Sequence, residues 1–115
     1  MHAEEQACVL VIVSDLGMRH ALVDWLLSNH GDMIFSSGFI DCYGIDPESM
    51  TVAEQVTGRQ RKLEFKIQTT LQNARAICNE LRAAFPTVHL QYWIQAALEA
   101  GYLDGTADKK PDGSD

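Results

Sequence analysis

Ala7-Cys8-Val9-Leu10-Val11-Ile12-Val13 is apolar at every position and rich in β-branched residues, the composition of a strand buried on both faces. Immediately after it, Ser14 or Asp15 can accept hydrogen bonds from the free N–H groups of a helix. Met18, Leu22, Trp25 and Leu26 then recur at helical spacing, and Gly31, after Asn29-His30, is expected to close that helix in the left-handed conformation. The stretch 33–43 reads as a second strand. Its Ser36-Ser37-Gly38 predicts a bulge or bend midway and leaves the inward face undecided. Gly44-Ile45-Asp46-Pro47-Glu48 breaks the pattern, and Thr51-Val52-Ala53-Glu54 has the spacing of a capping box for a short helical turn.

Beyond Thr57-Gly58, the basic run Arg59-Gln60-Arg61-Lys62 leads into an alternation with Leu63, Phe65 and Ile67 on one side and Glu64, Lys66 and Gln68 on the other. That is a third strand. Thr69 or Thr70 can cap a second helix whose stripe is Leu71, Ala74, Ile77, Cys78, Leu81 and Phe85, stopped by Pro86. Val88, Leu90, Tyr92 and Ile94 alternate with His89, Gln91, Trp93 and Gln95 as a fourth strand, and 96–100 reads as a short apolar helical turn ending at Gly101. The order β-α-β-β-α-β predicts an α+β, ferredoxin-like fold. Right-handed crossovers then place both helices on one face of a four-stranded antiparallel sheet. The other face lacks a helix, although the first strand supplies apolar side chains to both sides and Trp93 projects opposite Leu90 and Tyr92. Apolar surface left in water forfeits about 25 cal/mol per Å². A second copy of the chain is therefore expected to cover that face, the alternative being that 96–103 folds back over a monomer.

The 115 residues fit one domain. The expected division is a flexible start at 1–6, a folded domain at 7–103 and a disordered acidic tail at 104–115. Nine Lys plus Arg against sixteen Asp plus Glu give a net charge of −7, which argues against nucleic acid as a partner. No apolar run approaches the roughly 20 residues of a membrane-spanning helix, and the first residues lack the basic start of a signal peptide. Cys8, Cys42 and Cys78 stand far apart, form no C-x-x-C pair, and fit a reduced, cytoplasmic chain.

Candidate chemistry is sparse. His20 and Asp24, four apart on the first helix, could place an imidazole and a carboxylate on one divalent metal, but no third ligand stands at a telling distance. Cys42, beside the turn-rich connection, is the thiol best placed to reach solvent or a soft metal, whereas Cys8 and Cys78 read as small core hydrophobes. His30 and His89 are structural by position. No serine-hydrolase turn, zinc-protease helix or phosphate loop occurs, so an enzyme is not expected. Arg59, Arg61, Lys62 and Lys66 concentrate four of the nine basic residues. They could receive a phosphate, a carboxylate or an acidic partner, or instead pair with Glu54, Glu64 and neighbouring acids.

Several stretches together carry a family likeness. They are Leu22-Val23-Asp24-Trp25-Leu26-Leu27, Tyr43-Gly44, Thr51-Val52-Ala53-Glu54-Gln55-Val56-Thr57-Gly58-Arg59-Gln60-Arg61, Leu81-Arg82-Ala83-Ala84-Phe85-Pro86 and Leu90-Gln91-Tyr92-Trp93-Ile94. On these the chain resembles the PII-like signalling proteins of the nitrogen regulatory PII superfamily, and within them a small family often encoded beside heavy-metal efflux transporters. The resemblance implies a cytoplasmic homotrimer without catalytic activity. It implies a loop between the second and third strands that binds a small ligand or partner protein, with Tyr43, Gly44, Glu54, Gly58, Arg59 and Arg61 as contacts. A membrane efflux transporter is one partner it implies, and regulation of metal efflux or nitrogen metabolism the role. The nucleotide pattern of PII proteins is not kept. Tyr43-Gly44 runs into Ile45-Asp46-Pro47, Phe85-Pro86-Thr87 lacks Gly and Lys, and 98–104 lacks Arg. The alternative is a divalent metal-binding protein similar to CutA, using Cys42 or a histidine.

Overall fold

The computed structural model describes residues 5–44 and 46–104. Its two central strands are the most regular in sequence. β1 (Ala7–Ser14) lies between β3 (Arg59–Thr70) and β4 (Gln91–Ala96), and β2 (Phe35–Tyr43) flanks β3 on the outside. All pairings are antiparallel, giving the order β2-β3-β1-β4. Helices α1 (Arg19–Asn29) and α3 (Leu71–Ala84) form the crossovers, while the six-residue α2 (Val52–Thr57) belongs to the β2–β3 connection. This is the ferredoxin-like arrangement expected from the element order.

The core lies between the helices and one face of the sheet. Leu10 and Ile12 of β1 and Leu63, Phe65 and Ile67 of β3 pack against Leu22 and Leu26 of α1 and Ala74, Ile77 and Leu81 of α3. Phe65, with no exposed surface, is the largest of the fully buried side chains. The alternation of β3 sets this arrangement, because residues paired across a ladder share a face. Cys8 and Cys78 are both buried, as expected of small hydrophobes.

Several local expectations are corrected. β2 carries no bulge: its ladder with β3 runs without a break from Phe35 opposite Ile67 to Tyr43 opposite Arg59, with Ser36, Ser37 and Gly38 in register. It also begins at Phe35, two residues after the expected start. Gly31 is not left-handed, since the glycines with positive φ among the described residues are Gly44 and Gly58. What Gly31 answers is crowding: a Cβ there would stand 2.7 Å from the Leu27 carbonyl oxygen. Asp15 precedes a 3₁₀ turn, Leu16–Met18, without a side-chain cap, and α1 starts only at Arg19. Of the two candidate caps of α3, Thr70 is used, its hydroxyl accepting from the Asn73 N–H. Residues 96–100 form no helical turn. Ala96 is the last rung of β4, opposite Cys8, and the Ala97 N–H donates to the Ala7 carbonyl at 2.9 Å.

The helix-free face is drier than expected for a single chain. Val11 and Val13 point away from the helices, yet they are 1% and 4% exposed. Their cross-strand neighbours are Lys66 and Trp93, and Glu64 and Gln91, respectively. Long side chains on both flanks cover the central strand with their stems. The expectation that one copy cannot shield these valines is thus overturned. Trp93, 38% exposed, still faces solvent on this side. The segment after β4 runs past the Ala7 end of the sheet, with Tyr102 beside Val9, Lys66 and Gln68. The tail after Asp104 and residues 1–4 lie outside the described residues, whereas Gln6 is tied down: its carbonyl accepts from Leu71 N–H and its side chain donates to the Ala97 carbonyl.

Candidate functional site

The β2–β3 connection is folded by its own residues. Asp46 caps a 3₁₀ turn, Pro47–Ser49, accepting from the Glu48 N–H at 3.1 Å. The expected capping box is formed: the Thr51 hydroxyl accepts from the Glu54 N–H, and the Glu54 carboxylate accepts from the Thr51 N–H at 2.8 Å. The Gln55 amide stitches the two turns together, donating to the Pro47 and Met50 carbonyls. Gly58 then closes α2 at φ 72° with its N–H on the Glu54 carbonyl, and Gly44 stands at φ 77° at the other end. Left-handed backbone disfavours any residue with a Cβ, so the chain enters and leaves the connection on glycine.

This order is achieved without a core. None of residues 46–58 is buried. Val52 and Val56, one turn apart and therefore on one side of α2, are 78% and 82% exposed. Two apolar side chains thus stand open to solvent on a locally stitched projection.

Beneath the connection, strand alternation splits the basic cluster. Arg59 and Arg61 lie on the helix side of β3, and Lys62 and Lys66 on the helix-free side. Every one of them has an acidic partner. Asp41, opposite Arg61 on β2, takes both guanidinium groups: Arg59 Nη1 donates to Oδ2 at 3.1 Å, and Arg61 Nε lies 3.5 Å from Oδ1. Lys62 pairs with Asp15 at 3.0 Å, and Lys66 with Glu64 at 3.7 Å. The pairing expected for Glu64 is therefore present, while the Glu54 carboxylate is engaged on the Thr51 backbone. Arg59 and Arg61 remain about half exposed, so their ion pairs hold them in place more than they stabilise the fold.

On the helix-free side, a polar cleft of about 420 Å³ opens under the connection. Val13 is its apolar wall; Gln60, His89, Gln91 and the Lys62–Asp15 ion pair supply polar groups, and Ser49 reaches in from the connection. Two amides, one imidazole and a paired ammonium and carboxylate suit a small polar ligand.

The other candidates are scattered. Tyr43 is exposed at the base of the connection, opposite Arg59. Cys42, half-buried, belongs to the helix-free face, since it pairs with Gln60, whereas His20 and Asp24 are exposed on α1 on the opposite side of the sheet. Among the described residues, no group of three or more His, Cys, Asp and Glu side chains gathers as a metal site. His30 binds Glu80 at 2.7 Å, tying the end of α1 to α3. Burial pushes the Cys8 and Cys78 thiols above the ordinary value, with Arg82 partly opposing the rise at Cys78. Sequence reasoning missed Asp41 as the anchor of both arginines and missed the exposure of Val52 and Val56. Pairing Tyr43 with Arg59 across a tight strand pair would have revealed the first.

The family model described as "Protein of unknown function (DUF3240)" matches residues 4–104. The chain belongs to the DUF3240 family. A crystal structure of a DUF3240 family protein from Shewanella baltica OS155 superposes with a TM-score of 0.67 at 19% identity, covering 85% of this chain and 97% of that one. CutA from Synechococcus elongatus PCC7942, solved in complex with a Bis-Tris molecule, gives a TM-score of 0.58 at 10% identity over 82% of each chain. No curated protein sequence matches. At such identities the two structures show the fold, which this DUF3240 chain shares with CutA, and no more. No helix among the described residues is long and apolar enough to cross a membrane.

Proposed function

We propose that this DUF3240 chain is a non-catalytic regulatory module that works by binding, with the β2–β3 connection as its contact element. The observation that carries the reading is a connection ordered by its own hydrogen bonds while Val52 and Val56 face solvent. A docking element held in shape before contact loses less entropy on binding. Arg59 and Arg61, steadied by Asp41, flank it with positive charge, and the polar cleft below takes a small ligand. The resemblance to PII-like proteins points to a membrane efflux transporter as the partner and to a cytoplasmic homotrimer as the acting form. Trp93 is an exposed aromatic on the helix-free face around which copies would meet.

The test is co-purification from membranes of the native cell, comparing the wild-type chain with Val52→Asp/Val56→Asp and with Arg59→Ala/Arg61→Ala. Specific retention of a membrane protein that either double variant abolishes supports the reading. Equal retention by all three chains removes it. Light scattering on the purified chain tests assembly, a trimer giving about 38 kDa, three times the 12.8 kDa chain.

A second reading, divalent metal binding as in the CutA-like alternative, draws on the shared fold. Equilibrium dialysis against Cu, Zn and Co separates the two, because the docking reading needs no metal stoichiometry.

A further inference from the structure

We propose that the groove between α3 and β4 is a binding site for a small amphipathic monocarboxylate, with its apolar body in the groove and its carboxylate on Arg82. The site follows from the sheet order. β4 is an edge strand, and α3 packs over β1 and β3, so the helix side of β4 is left partly open and Tyr92 is 46% exposed. The chain leaves α3 after Ala84 and turns at Pro86 before reaching β4 at Gln91, which walls off one end. The result is a cavity of about 320 Å³, within the range of small-ligand sites. Ile12 and Leu81, 1% and 6% exposed, form its floor, and Phe85, Val88 and Leu90 its sides. This floor and these sides suit an apolar body, and Arg82 and Tyr92 complete the lining with polar groups.

Arg82 supplies the charge. It lies where this cavity meets a second, of about 220 Å³, to which Cys78 and Tyr92 are also common. Its Nη1 donates to Asn79 Oδ1 at 2.8 Å, its Nη2 donates to the Tyr92 hydroxyl at 3.2 Å, and the guanidinium lies 5.7 Å from the centre of the Tyr92 ring. All of these partners are neutral. Arg59, Arg61, Lys62 and Lys66 each pair with a carboxylate, whereas among the described residues no carboxylate pairs with Arg82. Its place in the last turn of α3 suits any cation. The bonds to Asn79 and Tyr92 hold the planar fork oriented with donors left over. A net charge of −7 opposes every anion and a polyanion most, so among anions a single carboxylate carried on an apolar body, paired locally with Arg82, is the one this groove suits.

The probe is 3-phenylpropanoate, with 3-phenylpropanol as its uncharged counterpart. Both are titrated into the full chain and followed by calorimetry and by amide chemical shifts. The proposal expects the acid to bind with shifts centred on Leu81, Phe85, Val88 and Leu90, and the alcohol to bind at least about tenfold more weakly, the worth of a charged hydrogen bond. Arg82→Gln should bring the acid down to the affinity of the alcohol and leave the alcohol unchanged, with Arg82→Lys intermediate. Arg82 is exposed, so these variants retain the core. No binding at millimolar acid, equal affinities for acid and alcohol, or an Arg82→Gln chain that binds the acid undiminished would each overturn the proposal. So would shifts centred on Lys62 and His89, or groove shifts on dilution of the protein alone, which would assign the groove to a second copy.

Discussion

Removing the Thr51 hydroxyl isolates the question of whether the connection is a separately folded unit. In Thr51→Ala the Glu54 N–H loses its acceptor at 3.2 Å, and half of the capping box disappears. Loss of such a cap costs about 1 kcal/mol, a factor of about five in an equilibrium constant. A six-residue helix lies far below the roughly 12–15 residues at which isolated helices become even marginal, so α2 depends on its cap and on Gln55. Because 46–58 buries nothing, that loss should fall on local opening and spare the core. Hydrogen exchange gives the readout. The amides of Gln55 and Gly58, bonded to the Thr51 and Glu54 carbonyls at 2.9 and 2.8 Å, should exchange about fivefold faster, while those of Ile12 and Phe65 keep their protection. The melting midpoint should hold within about 2 °C, whereas a cost of 1 kcal/mol to the whole domain would lower it by about 4 °C or more. A fall of that size, with faster exchange in the core strands, would refute the independence of the connection. If docking uses the ordered form, affinity for the partner declines by up to about fivefold in step with the exchange.

Phe65 and Phe39 share the helix side of the sheet but differ in exposure, 0% against 56%. Phe65→Ala should cost about 3–5 kcal/mol in urea unfolding, and Phe39→Ala, which loses mainly the Arg19 contact at 5.7 Å, about 1 kcal/mol or less. Asp41→Asn should change stability by less than about 1 kcal/mol, because both ion pairs are about half exposed, and should reduce the difference in stability between 20 mM and 500 mM salt, on the order of one screened pair. For Cys8 and Cys78, burial raises the folded-state pKa above 9.0, so the folded chain holds more protons than the unfolded one in alkali. Stability from these groups is complete below the unfolded value and is lost as pH rises from there through the folded values, which urea midpoints between pH 8 and 10.5 should show. At pH 8 the same shifts should leave Cys42 the first thiol alkylated by iodoacetamide.

How far the sequence could be read depended on whether a segment's own pattern or its neighbour decided its structure. β1, β3 and α3 carry strong periodicities that packing then exploits, with Leu63, Phe65 and Ile67 facing Ala74, Ile77 and Leu81 in one core. At Ser36-Ser37-Gly38 in β2, local propensity argues for a break and the ladder to the longer β3 overrides it. The helical turn expected at 96–100 failed for the same reason. Ala96 and Ala97 find partners on β1 at Cys8 and Ala7, and a sheet bond already made outweighs a weak helical preference. Gly31 in sequence suggests a need for positive φ, whereas its value is the missing Cβ, which only the position of Leu27 reveals.

The candidate site shows the same division. The capping box at Thr51 and Glu54 is a short-range device, legible from spacing alone, and it is present. The basic cluster looked like one patch because sequence proximity ignores the pleat. On an extended strand, Arg59 and Arg61 face one way and Lys62 and Lys66 the other, so the four charges serve two surfaces. Those surfaces meet at the connection: Asp41 steadies the arginines at its base on the helix side, while Ser49 dips into the cleft that holds Lys62 and His89 on the other. A ligand seated in that cleft touches the connection and the sheet together. If it prefers one position of Ser49, it must bias the position of α2, and a partner gripping Val52 and Val56 must bias the ligand by the same factor. Such a coupling would need no relay through the core, because the chain between Ser49 and Val52 is two residues long.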